Sequence, residues 1–252
     1  MRIDYLYRFP VKGLSAEALE AAEVEEGGAI PWDRAFALAQ GDSGFDPAHP
    51  TWLPKQNFMC LRQNARIAAL RAFFEPRTGM LSLRAPDGSG LAANALRAAG
   101  REEIGAWLAD FMGEEARPTP RFHHVPGHVF GDSRIPVVSL IGLPSLRDFE
   151  SRVGARRHRR RFRANVWFTG AAPFAEFDWI GRQLQLGGAT LRVVRRIPRC
   201  PATQVNPLTA ERDADPMAEL RALYGHGDLG VYAEVVEAGR FAVGDAMELL
   251  PE

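Results

Sequence analysis

Apolar and polar residues alternate in short segments along much of the chain, the period of two that a half-buried strand requires. In the first half this pattern predicts strands over 5–9, 35–40, 66–72 and 80–84. Most are bounded by clusters such as Gly27-Gly28, Asp46-Pro47 and Pro86-Asp87-Gly88. In the second half it predicts strands over 165–169, 183–186, 190–196, 231–236 and 246–250, with Gly187-Gly188 as a hairpin turn between two of them. Helical spacing is rarer. Ile104, Trp107, Leu108 and Phe111 fall at i, i+3, i+4 and i+7, which predicts an amphipathic helix over 101–112 ending at Gly113. A shorter helix is expected over 144–153. A third opens at Asp215-Pro216, Asp as N-cap and Pro in the first turn, and closes at Gly225. Many short strands with few helices predict a mainly β chain of the α+β class, built from barrels rather than βαβ units. The Gly- and Pro-bearing stretch 113–120 sets the expected boundary, dividing 1–115 from 116–252.

Composition narrows the function classes. With 252 residues, 46% of them hydrophobic, the chain can bury one large core or two small ones. Its 31 basic and 31 acidic residues cancel, which excludes an overall polycation of the kind that adsorbs to nucleic acid or membranes. Two cysteines, Cys60 and Cys200, exclude a disulfide framework, a four-cysteine zinc site and a self-contained iron–sulfur cluster. No apolar run approaches the ~20 residues of a membrane span. The opening residues Met1 to Tyr5 lack the apolar core of a signal peptide. A soluble, reduced, cytoplasmic protein is expected. Lys12 and Lys55 are its only lysines, every other basic side chain being arginine. Neither sits in the setting of a pyridoxal-phosphate Schiff base.

Several constellations could carry chemistry. The run Arg156-Arg157-His158-Arg159-Arg160-Arg161-Phe162-Arg163 reads as a solvated loop or an anion-facing surface. It lacks the aromatic platform of nucleic-acid-binding modules, so no nucleic-acid partner is expected. Arg163 differs from its neighbours because it directly precedes a predicted strand, where a guanidinium is held rigidly enough to grip a phosphate. His123, His124 and His128 are close in sequence, but Pro126 and Gly127 interrupt them and no carboxylate falls at ligand spacing. A structural or solvent-facing loop is favoured over zinc. Cys60, among Phe58, Met59 and Leu61, reads as a buried inert thiol. Cys200 leaves a strand between Pro198 and Pro201 with Arg195, Arg196 and Arg199 nearby. Positive neighbours favour a thiolate, the form that acts as nucleophile or soft-metal ligand, and a structural role stays open beside it. Lys12 in a turn after a strand, Arg34 at the mouth of the next, Lys55 and Arg163 make four cations at strand edges. They can cradle a phosphorylated ligand if they converge.

The segments carrying these residues resemble one family. Tyr-Arg-Phe-Pro-Val-Lys-Gly-Leu at 7–14 and Glu-Gly-Gly-Ala-Ile-Pro-Trp-Asp-Arg at 26–34 are similar to the N-terminal β-barrel module of MOSC proteins. The stretches at 161–168, 172–179, 197–207 and 243–245 resemble the MOSC domain itself. MOSC domains occur in molybdenum-cofactor sulfurases and in the mitochondrial amidoxime-reducing component and bacterial relatives that reduce N-hydroxylated compounds. The resemblance implies two β-barrel modules with a cofactor cleft between them and the molybdenum cofactor (molybdopterin) as ligand. Cys200 would be the thiolate on molybdenum. Lys12, Arg34 and Arg163 would hold the pterin and its phosphate, with Asn165 and Arg199 flanking them. Ser139, Tyr232 and the backbone at Gly13 are further matches, and Lys55 falls where the family often has arginine. Amidoxime-reducing relatives usually carry serine where this chain has Gly13, and often Ser-Arg-Cys where it has Pro198-Arg199-Cys200. Backbone N–H groups would have to stand in for the two serine hydroxyls.

The resemblance thus implies a molybdenum-dependent reductase of N-hydroxylated or N-oxygenated small molecules. With too few cysteines for a ferredoxin-like cluster, it would draw electrons from a separate flavin or iron–sulfur reductase. The alternative is a non-catalytic carrier of molybdenum cofactor or activated sulfur. A third is an anion- or nucleic-acid-binding module built on the 156–163 run.

Overall fold

Strands need partners more than they need propensity, and here the partners come from far along the chain. The computed structural model describes residues 1–116 and 119–251. In the first half these form β1 (Arg2–Arg8), β2 (Glu17–Leu19), β3 (Ala21–Val24), β4 (Phe36–Ala39), β5 (Arg71–Glu75), β6 (Met80–Arg84), β7 (Gly90–Asn94) and helix α1 (Ala98–Met112). Then come β8 (Arg121–His124), β9 (Val138–Gly142), α2 (Leu143–Val153), β10 (Val166–Thr169), β11 (Gln183–Leu186) and β12 (Ala189–Pro198). The last elements are α3 (Pro216–Tyr224), β13 (Asp228–Glu237), β14 (Gly239–Ala242) and β15 (Met247–Leu249).

The mainly β class expected from the pattern is what the chain adopts. Its largest sheet has eight strands in the order β15-β11-β12-β13-β9-β10-β1-β2 and curls into a half-barrel. All its pairings are antiparallel except β9 with β10. Leu191 and Val193 on β12 and Val231, Ala233 and Val235 on β13 are buried while Arg192 between the first pair is exposed, the one-sided alternation of a sheet over a core. Gly187-Gly188 joins β11 to β12 as a two-residue hairpin, Leu186 paired with Ala189. The first two strands are built into this sheet, β1 lying against β10, and β3 pairs with β14.

The remaining strands make a three-stranded meander, β5-β6-β7, and a pair, β4 with β8. Helix α1 lies against β7 and β8 and buries Ile104 and Leu108 in a core shared with Phe36, Phe74 and Leu81. Gly100 lets α1 approach, since a Cβ there would meet the carbonyl oxygen of Asn94 at 2.2 Å. Helix α3 begins as expected: the Asp215 carboxylate accepts from the Ala218 N–H at 3.1 Å, and Gly225 ends it at φ 75°.

Two expectations are corrected. The strand expected over 66–72 is a 3-10 turn over Ala65–Ala69 followed by β5 from Arg71. Only Ile67 of that turn is buried, so its neighbours gain nothing from a pleated arrangement. His123 and His124 lie on β8, not in a loop, paired opposite Ala37 and Phe36. His124 packs on Trp32 and Phe36, and His128 on Phe45 and Phe130. Burial pushes all three imidazoles down, toward the neutral form.

Candidate functional site

Turns and strand ends bring the singled-out residues to one pocket, whose lining includes Lys12, Gly13, Arg34, Lys55, Ser139, Arg163, Asn165, Arg199, Cys200 and Tyr232. Lys12 and Gly13 follow β1; Arg34 precedes β4; Lys55 opens a short 3-10 turn, Lys55–Asn57. Ser139 is on β9, Tyr232 on β13, and Arg163 and Asn165 lead into β10. Arg199 and Cys200 follow β12, where Pro201–Gln204 forms another 3-10 turn.

Cys200 caps that turn. Its carbonyl accepts from the Thr203 N–H at 3.0 Å and from Thr203 Oγ1 at 2.9 Å, which fixes the backbone that carries the thiol. Arg161 donates to the Gln204 carbonyl at 2.9 Å and pairs with Asp213. Arg212 donates to the Pro201 carbonyl at 3.0 Å and to the Leu61 and Arg62 carbonyls at 2.9 and 2.8 Å, tying the Cys200 turn to the Cys60 segment. The half-buried thiol itself faces an ammonium: Lys55 Nζ lies 3.4 Å from Sγ.

Lys55 belongs to a three-membered charge network. The Asp132 carboxylate accepts from Lys12 Nζ at 2.7 Å through one oxygen and from Lys55 Nζ at 2.8 Å through the other. Burial opposes charge on Asp132, but the two ammoniums hold its carboxyl well below the usual carboxylate range. Burial likewise opposes charge on Lys55, and Asp132 and Cys200 more than offset it, so its ammonium is raised above the ordinary lysine value.

The arginine side chains are set by strained backbone. Trp32, Arg34 and Arg163 have φ of 66°, 52° and 51°, left-handed values that non-glycine residues adopt at a cost of roughly 1–3 kcal/mol each. The Arg34 and Arg163 guanidiniums lie 4.5 and 4.3 Å from the Phe9 ring centre. Arg34 pairs with Asp33 and donates to the Arg163 carbonyl at 2.8 Å. Arg163 donates to the Leu14 carbonyl at 2.7 Å. Burial, with Arg34 adding, pushes the Arg163 guanidinium down to about 9, and burial pushes Arg199 down to about 10. Guanidinium stays charged in proteins, so both side chains hold desolvated positive charge. Among the lining residues eight cationic side chains stand against two carboxylates.

Ser139 and Asn165 are committed internally. Asn165 Oδ1 accepts from Ser139 Oγ at 2.7 Å and the Ser139 N–H at 3.1 Å, and its amide donates to the Tyr7 carbonyl at 3.1 Å. They lock β1, β9 and β10 together beneath the arginines. Gly13 has φ 87°, and a Cβ there would stand 3.3 Å from the Met59 carbonyl oxygen, so this backbone tolerates no serine without strain.

Residues 1–115 match the MOSC N-terminal beta barrel domain and residues 127–248 match the MOSC domain. The chain belongs to the MOSC-domain family. It is 32% identical over 125 residues to the mitochondrial amidoxime-reducing component 1 of Homo sapiens, a match covering 44% of this chain and 36% of that protein. It is 28% identical over 120 residues to the mitochondrial amidoxime reducing component 2 of Bos taurus, covering 43% and 35%. With the molybdenum cofactor sulfurase of Danio rerio it shares 27% over 156 residues, 52% of this chain and 18% of that one. The matches thus span about a third of the amidoxime-reducing relatives and under a fifth of the sulfurase.

In and around the pocket stand residues that sequence reasoning passed over. Asp132 is the chief one. Its signal was indirect: four converging cations call for a counter-charge, and Gly131-Asp132-Ser133 is a turn facing them. Arg161 and Arg212 could be found only by their partners in space. Cys60 is 5% exposed, and burial pushes its thiol up, away from the thiolate. Three other arginines of the run are engaged by the protein's own groups. Arg157 pairs with Glu219, Arg156 with Glu150, and Arg159 donates to Tyr7 Oη at 2.8 Å while lying 3.7 Å over the Tyr5 ring. No helix among the described residues is long and apolar enough to cross a membrane.

Proposed function

We propose that the chain binds a molybdenum cofactor (molybdopterin) in this pocket and reduces N-hydroxylated or N-oxygenated small molecules, with electrons from a separate flavin or iron–sulfur reductase. One observation carries the reading: the half-buried Cys200 thiol opens onto a wall where cations outnumber carboxylates eight to two, in a protein of zero net charge. The names of the relatives, amidoxime-reducing components and a molybdenum cofactor sulfurase, point the same way.

The residues present fit the group. Thiolate is a soft ligand suited to such a metal. Among the described residues no three His, Cys, Asp or Glu side chains are grouped to hold a metal by themselves. A metal at Cys200 would therefore bring its other ligands with it, as a dithiolene-bearing pterin does. Arg161 and Arg199 each have a buried Nε without a partner among the described residues, and both line the pocket. In this reading Lys12, Arg34, Arg163 and Arg199 neutralise the phosphate and orient the pterin. Lys55 steadies the Cys200 thiolate, and the Gly13 backbone lets the ligand approach closely. Ser139 and Asn165 hold the cradle in shape, and Tyr232 walls it. When bound, the cofactor supplies the two-electron chemistry at the N–O bond, and the protein supplies position and charge. Residues 1–115 and 116–252 act as two modules sharing one ligand, in a cytoplasm that keeps both thiols reduced.

Elemental analysis tests this on protein from a cofactor-producing host. Near-stoichiometric molybdenum is expected in the native chain and in Cys60→Ala, and loss of it in Cys200→Ala. Equal retention in both variants overturns the assignment. No metal in any of them, with a persulfide on Cys200, would replace this reading by that of a sulfur carrier.

A further inference from the structure

A second cavity, of about 440 Å³, adjoins the Cys200 pocket. The two share Asp132, Ser133, Ile135 and Arg195 on a common wall, and the second adds Trp52, Arg134 and Val194. Its cations rest on aromatic rings. The Arg134 guanidinium lies 5.0 Å from the Trp52 ring centre, and that of Arg195 lies 4.7 Å from Tyr232. Neither has a carboxylate partner among the described residues, whereas Arg8, Arg157, Arg161 and Arg192 all do. Asp132, on the same wall, is engaged with Lys12 through one oxygen and with Lys55 through the other. Between these charges, apart from Ser133, the lining is apolar: Ile135 leaves 48% of its surface exposed, beside Val194 and the Trp52 ring.

A flat aromatic face, two aliphatic side chains and two guanidiniums without counter-ions describe a ligand with a planar apolar body and an oxyanion. We propose that this cavity seats the non-reacting end of the substrate, and that the substrates are aromatic N-hydroxylated compounds bearing a carboxylate. The reacting end then points through the shared wall toward Cys200. Asp132 does not repel the acid group, since its own charge is spent on Lys12 and Lys55. The assignment of the reacting end rests on the reductive reading above; the binding of an aromatic carboxylate does not.

Calorimetric titration of the purified chain with benzamidoxime and with 4-carboxybenzamidoxime separates the two, with viologen-driven reduction of each measured on cofactor-loaded protein. The carboxylated compound is expected to bind at least tenfold more tightly. That advantage should fall to near one in Arg134→Gln and in Arg195→Gln, and survive in large part in Arg134→Lys. Preferential binding without any reduction would uphold the acid subsite and refute the reductive reading. Equal binding of the two compounds, or a preference that outlasts both glutamine substitutions, overturns the proposal.

Discussion

Two sets of arginines behave differently. In the run, Arg156, Arg157 and Arg161 pair with Glu150, Glu219 and Asp213, while Arg159 and Arg160 lie over the rings of Tyr5 and Tyr7. Arg163 and Arg199 meet only carbonyl oxygens and aromatic rings, and burial drives both guanidiniums down in pKa. The density of positive charge in the sequence is greater in the first set. In the proposed function it is the second that meets the cofactor's anion. What marks a site is charge left without an opposite, and only the folded chain reveals which charges those are.

The contrast predicts effects of different kind. Arg163→Met should lower molybdenum retention on the order of a hundredfold, as loss of a desolvated charge partner does. The same change should alter the unfolding free energy of the cofactor-free chain by less than about 1 kcal/mol, because a carbonyl hydrogen bond is lost while like-charge repulsion is relieved. Denaturation and elemental analysis on one preparation would show both, and equal loss of stability and metal would break the comparison. Arg161→Met should lower stability as well as metal retention, since this residue both lines the pocket and pairs with Asp213. It strips Asp213 and two carbonyls of a donor, costing about 2 kcal/mol in urea unfolding. Burial opposes charge on Asp213, but Arg161 and Asn206 hold its carboxyl below the usual carboxylate value. A group lowered in this way stabilises the fold above its unfolded pKa of about 4 and loses that contribution as pH falls through the folded one. The gap between native chain and Arg161→Met should therefore be full at pH 7 and narrow on acidification below about 4. Smallest of all is Arg156→Ala, whose side chain is 90% exposed: less than about 0.5 kcal/mol, with metal content unchanged.

Much of this was legible before folding. Alternation located β6 and β11 to the residue, and the Asp-Pro start and Gly stop located α3, because these signals are local. β2 and β3 were not legible. Glu17-Ala18-Leu19 and Ala21 to Val24 have little strand character, and they are extended because β1 and β14 offer them ladders. β9 escaped for another reason: all five of its residues are buried, so it shows no alternation. In the site, every cation was visible as a residue and their convergence was not. Asp132 looked like a turn residue because its importance comes from two lysines 120 and 77 positions away.

The placement of β1 beside β10, and of β3 beside β14, also sets an order of events. During synthesis the first 24 residues emerge long before residues 166–169 and 239–242, the strands they must pair with. At a synthesis rate of roughly 5–20 residues per second, the opening segment waits for many seconds with open edges. Lys12 meets Asp132 only once residue 132 has emerged, and Arg34 meets the Arg163 carbonyl only once residue 163 has. The pocket is thus among the last features to close, and a ligand that fits it enters a nearly finished protein instead of serving as the seed around which the chain folds.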